Sequence, residues 1–175
     1  MSEYKISKKI GDVGELEIHK RLIKKYPKAY IDNIGKANSD WDIFIPEINA
    51  GIEVKMDYKS LYSGNLLIEV YFNKPSALSV TKAKYWVFIT GERYIWITPL
   101  EIYRFIELYQ YHRKQLTGEG DEEAKIAYLI KHDDFVLYVH RLSKENGWVE
   151  MIKEDDVMYV DKFKNIDLEK YFLSL

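Results

Sequence analysis

Apolar residues along this chain gather in short runs punctuated by glycine, proline and asparagine, the rhythm of strands, with helical spacing at three places. Ile43-Phe44-Ile45 and Ile52-Glu53-Val54-Lys55-Met56 flank the turn-like Pro46–Gly51 segment and predict a β-hairpin or a tightly linked strand pair. Two-residue alternation sends Glu53 and Lys55 to one side and Ile52, Val54 and Met56 to the other, toward a core. The turn signal Ser63-Gly64-Asn65 leads into Leu66–Phe72 as a further strand. Tyr85–Thr90 is nearly all apolar, as expected of a strand covered on both faces, and Tyr94–Ile97 follows across Gly91. Phe135–His140 and Trp148–Ile152 read as strands around a turn at Asn146-Gly147.

Helical spacing comes first at Val13–Tyr26, ended by Pro27, with Leu16, Leu22 and Ile23 as the apolar stripe and Lys20, Arg21, Lys24 and Lys25 as the wet face. Thr98 and Pro99 supply an N-cap hydroxyl and a first-turn proline, and Leu100, Tyr103, Ile106 and Tyr111 carry that helix to about Lys114. Leu168, Tyr171, Phe172 and Leu175 share one face of a short terminal helix that packs on its own domain or on a second subunit. Asp32–Ser39 and the acidic Gly118–Glu123 stretch are loops. Strands and helices mixed in this order predict an α/β domain.

Composition narrows the class. A chain of 175 residues, 47% apolar and 15% aromatic, suits one domain with a substantial core. Without cysteine there is no disulfide, zinc finger or thiolate-held cluster. No apolar run approaches the roughly 20 residues that cross a bilayer, and MSEYKISKK lacks a signal-peptide core. The expectation is a soluble, cytoplasmic protein, in the host cytoplasm if it is viral. The net charge is −2, yet residues 1–100 carry 15 Lys and Arg against 12 Asp and Glu, whereas residues 101–175 carry 11 against 16. A basic first half is compatible with a nucleic-acid surface.

The chemistry concentrates in that half. An acid and an amine on one side of an apolar strand are costly to bury unpaired, and the hairpin can bring Asp42 beside Glu53 and Lys55. Two carboxylates supply hard oxygen ligands for Mg²⁺, and a neighbouring lysine can orient or deprotonate a water or neutralise a phosphate. An exposed Glu53–Lys55 pair with Asp42 in turn chemistry is the purely structural alternative. Glu15 projects near the stripe of the first helix, where it can look inward at a site. His19 shares that side, with a core-margin hydrogen bond as the plainer role. Glu69, inside an apolar strand, either neutralises Lys55 or points outward. Ser76, Ser79, Thr81, Lys82 and Lys84 cluster in a polar stretch suited to phosphate contacts, or to an ordinary surface turn. No glycine-rich phosphate loop occurs, His112, His132 and His140 lack metal-site spacing, and no Ser or Thr sits in a nucleophile elbow.

A helix with an inward acid, then Asp42, ten intervening residues, Glu53-Val54-Lys55 and a strand-helix continuation resembles the PD-(D/E)XK (restriction endonuclease-like) nuclease superfamily. That superfamily includes restriction endonucleases, archaeal Holliday junction resolvases and many phage nucleases. Gly64–Phe72 and the TKAKYWVFIT stretch after it look like phage and archaeal-virus members. The likeness spans about residues 11–110, and residues from about 111 to 175 form a C-terminal extension of the same single domain. It implies a restriction endonuclease-like core, a central mixed β-sheet flanked by helices, and Mg²⁺- or Mn²⁺-dependent phosphodiester hydrolysis. By the same resemblance Asp42, Glu53 and the main-chain carbonyl of Val54 would hold the metal, Lys55 would handle the attacking water, and Glu15 would be the extra first-helix acid. Asp40 competes with Asp42, which abuts the strand, and Trp41 stands where the family places proline. The expectation is a DNA endonuclease rather than an exonuclease, with Ser79 and Lys82 touching substrate and a homodimer suiting paired cuts. The alternative is a non-catalytic nucleic-acid-binding protein on the same fold.

Overall fold

The computed structural model describes residues 3–32, 40–90, 93–117 and 124–146, with side chains described from residue 11 to residue 142 of these. In chain order the elements are α1 (Glu3–Leu22), β1 (Tyr30–Ile31), β2 (Ile43–Ile45), β3 (Ala50–Met56), α2 (Ser60–Ser63), β4 (Asn65–Phe72), β5 (Lys74–Pro75), β6 (Tyr85–Thr90), β7 (Arg93–Ile97), α3 (Pro99–Leu108), β8 (Arg113–Leu116), β9 (Lys125–Lys131) and α4 (His132–Asn146).

The predicted hairpin forms. β2 and β3 pair antiparallel, with Ile43 opposite Ile52 and Phe44 opposite Gly51. A 3-10 turn over Pro46–Ile48 joins them, and Asn49 closes it in the left-handed region at φ 48°, which Asn tolerates better than most residues. Ile52 and Val54 are buried while Glu53 and Lys55 are half-buried, the alternation read from the sequence. β6 joins β3 in parallel, and β7 returns antiparallel on β6. A five-stranded mixed sheet results, ordered β1-β2-β3-β6-β7, and the α/β class holds.

β4 does not join that sheet. It pairs antiparallel with β9 in a second, four-stranded sheet ordered β5-β4-β9-β8. Residues 113–131 are therefore built into the fold through β4, and α4 closes the core: Phe135 packs edge-on to Phe88 of β6 at 5.6 Å and to Phe105 of α3 at 5.1 Å. On the other face of the first sheet α1 approaches closely through Gly14, where a Cβ would sit 3.3 Å from Ile89 and 3.5 Å from Met56.

Several boundaries differ from those expected. α1 begins ten residues before Val13 and ends at Leu22 rather than Tyr26, and its buried row is Gly14, Ile18 and Leu22. Leu16 and Ile23 face solvent, because a glycine without a side chain allows the close helix–sheet contact that decides which face turns inward. α3 begins at the predicted cap, Thr98 accepting from the Glu101 amide, but stops at Leu108, so Tyr111 lies beyond it. Its buried row is Ile102, Phe105 and Ile106, with Leu100 and Tyr103 exposed. Phe135–His140 is helix, not strand. Asp133 and Asp134 occupy the first turn of α4, where carboxylates favour the helix N-terminus, and Phe135, Val136 and Val139 form one buried stripe. The Trp148–Ile152 strand, the Leu168–Leu175 helix, the acidic Gly118–Glu123 loop, Gly147 and most of the Asp32–Ser39 loop lie outside the described residues. Among those described, no helix is long and apolar enough to cross a membrane.

Candidate functional site

β3 carries the Glu-x-Lys pair and the first residue before β2 supplies Asp42. At Asp42 the β2–β3 ladder ends: its N–H donates to the Ile52 carbonyl at 2.9 Å and its carbonyl accepts the Asp32 amide at 2.8 Å. The next β3 amide, Val54, donates instead to the Asp42 carboxylate, 2.7 Å from Oδ2. Here the side chain replaces a backbone partner, which holds the carboxyl group at the strand edge. Glu53 is one residue away on β3, and its Oε1 accepts from Lys55 Nζ at 2.6 Å. Lys55 also lies over the Trp86 ring, 5.2 Å from its centroid, because parallel pairing sets Trp86 opposite Glu53.

The electrostatics express the crowding. Burial, and next the charge of Glu53, push the Asp42 carboxyl up to about 7, against the lowering effects of the Val54 hydrogen bond and Lys55. Glu15 of α1 adds a smaller upward push. Burial pushes the Lys55 ammonium down, but Glu53, Asp42 and Glu69 outweigh it and hold its pKa above the ordinary value. Lys55 is thus a cation, suited to donating a hydrogen bond and offsetting negative charge rather than to taking a proton.

The remaining candidates fall apart by position. Asp40 points to the surface and pairs with exposed Lys82 at 3.0 Å, which leaves the inner position to Asp42. Lys82 therefore stands at the rim. Ser79 Oγ lies 2.6 Å from the Val70 carbonyl and 2.8 Å from that of Ser76, serving its own turn. Glu69 accepts from Ser76 at 2.7 Å while its charge reaches Lys55, combining the two roles weighed for it. His19 Nε2 is 2.9 Å from the Ala29 carbonyl, a structural contact. His132 is buried, with Thr90 at 3.1 Å and Asp133 at 2.9 Å as its side-chain partners.

Neither a family model, nor a curated protein, nor a solved structure matches the chain.

The donor set then stands on its own chemistry. Among the described residues no group of three or more His, Asp or Glu side chains is gathered to hold a metal. Asp42 and Glu53 each spend one carboxylate oxygen on the contacts above and keep the other. Two carboxylates fit an ion such as Mg²⁺, which retains several of its waters and is commonly held by one or two protein carboxylates. Burial and the charge of Glu53 both disfavour the Asp42 anion, and a cation would relieve the second of these. Trp86 escaped sequence reading because it lies 31 residues beyond Lys55, and only the β3–β6 pairing brings them together.

Proposed function

We propose that the chain is a Mg²⁺- or Mn²⁺-dependent DNA endonuclease of the PD-(D/E)XK type. One observation carries this: the Asp42 carboxylate is tied to the Val54 amide between Glu53 and Lys55, its carboxyl lifted by burial and next by Glu53, with Lys55 ion-paired to Glu53. Asp42 and Glu53, with the Val54 carbonyl, would hold the cation, and Glu15 would support from α1. When bound, such an ion offsets charge on a phosphate and acidifies a water. Lys55 donates to the attacking water and to the phosphate, keeping the nucleophile in line with the leaving 3′-oxygen. The products are 5′-phosphate and 3′-hydroxyl ends. Lys82 at the rim contacts the DNA backbone.

The test is incubation of plasmid and linear DNA with Mg²⁺ or Mn²⁺, alongside Glu53→Ala and Lys55→Ala. Cleavage is expected from the native chain and from neither variant. Cleavage that persists in both folded variants overturns the assignment. DNA binding without cleavage, together with no Mn²⁺ uptake by calorimetry, would favour a non-catalytic binding protein, a reading consistent with the two-carboxylate donor set.

A further inference from the structure

We infer that Trp41 is a positioning residue for Asp42, seated by the missing side chain of Gly51. The indole lies on the β3 backbone so closely that a Cβ at Gly51 would fall 2.5 Å from Cε3, 2.6 Å from Cδ2 and 2.8 Å from Cγ. Phe44, the register partner of Gly51 across the hairpin, stacks on the same indole with ring centroids 4.9 Å apart. Tyr30 of β1 backs Phe44 at 5.9 Å. The Trp41 ring thus covers the glycine, with Phe44 stacked on the indole and Tyr30 behind Phe44.

The consequence for Asp42 is geometric. In a regular strand Trp41 and Asp42 would point to opposite faces, and Asp42 would share the face of Phe44. The Trp41 ring instead covers Gly51, on the Phe44 side, so the backbone bends at Asp42 before β2 begins. That bend turns the Asp42 carboxylate to the strand end, where it takes the Val54 amide at 2.7 Å. Among the described residues no polar group holds the ring, and the Trp41 N–H is buried without a hydrogen-bond partner there. A buried unpaired donor is destabilising. Shape seats the indole, and a phenylalanine ring would keep the cover over Gly51 without that penalty.

This role presupposes the proposed nuclease only where it concerns metal. Three variants test it: Trp41→Ala, Trp41→Phe and Gly51→Ala, each checked for native secondary structure by circular dichroism. The readouts are amide exchange at Val54 by NMR, with the Ile95 amide of β7 as control, and Mn²⁺ affinity by calorimetry. Trp41→Ala and Gly51→Ala should lose Val54 protection and bind Mn²⁺ about 10–100-fold more weakly, the usual effect of removing a partner that orients a ligand. Trp41→Phe should keep both near the native values. The inference is overturned if folded Trp41→Ala retains Val54 protection and Mn²⁺ affinity, or if Trp41→Phe loses as much as Trp41→Ala. Should Gly51→Ala fail to fold, the two Trp41 variants carry the comparison. If the native chain binds no Mn²⁺, the nuclease assignment fails by itself, and Val54 exchange still decides whether Trp41 positions Asp42.

Discussion

Replacing Asp42 by Asn should make the metal-free protein more stable at pH 8 while abolishing the proposed DNA cleavage. The folded chain holds the Asp42 proton up to about pH 7, against an ordinary 3.8, because burial and Glu53 both disfavour the anion. At about 1.4 kcal/mol per pH unit, that gap corresponds to about 4 kcal/mol of strain once Asp42 ionises. Its sign follows from proton binding. The folded state binds this proton more tightly than the unfolded chain, so its contribution to stability is full below about pH 4, declines as pH rises, and is gone above about pH 7. Asn keeps the shape and can still accept from Val54, and the attractions that only the carboxylate enjoys, from Lys55 and the Val54 amide, are already netted in that gap. Allowing about half for solvent screening of this half-buried group leaves roughly 2 kcal/mol, or about 4–8 °C in melting temperature for a chain of this size. Thermal melts in EDTA at pH 5 and pH 8 measure it: the native chain should lose stability between them and Asp42→Asn should lose less. Added Mn²⁺ should raise the native melting temperature at pH 8 and leave that of the variant unchanged. A variant no more stable than native at pH 8, or equally shifted at both pH values, would refute the reasoning.

Other substitutions separate site from scaffold. If the proposed nuclease reading holds, Lys82→Ala should weaken DNA binding and flatten its salt dependence by about one ion while sparing kcat, because Lys82 pairs with Asp40 rather than Glu53; filter binding at graded salt reads this. Phe135→Ala should cost about 3–5 kcal/mol in urea unfolding, since it removes a fully buried ring wedged between Phe88 and Phe105. Thr98→Ala should cost about 1 kcal/mol through loss of the α3 cap, with metal affinity unchanged by calorimetry.

What was legible locally came true where the physics is local. The Pro46–Gly51 turn, the alternation along β3 and the Thr98-Pro99 cap each depend on residues within a few positions of one another, so a linear reading found the hairpin, the strand carrying Glu53 and Lys55, and the start of α3. Asp42 was legible as a strand-edge acid, although its tie to Val54 was not. Phe135–His140 failed because a short apolar run has no period of its own: β-branched residues favour strand, and only docking against Phe88 and Phe105 favours the helix.

By itself, then, the sequence determined the short-range elements and the Asp42, Glu53, Lys55 spacing, through turn chemistry and side-chain alternation. Tertiary structure alone decided that β4 pairs with β9 in a second sheet, that Gly14 turns Ile18 rather than Leu16 inward, and that Trp86 lies beneath Lys55. Those outcomes depend on surfaces brought together across tens of residues, where burial and fit, rather than the preference of any local segment, select the partner.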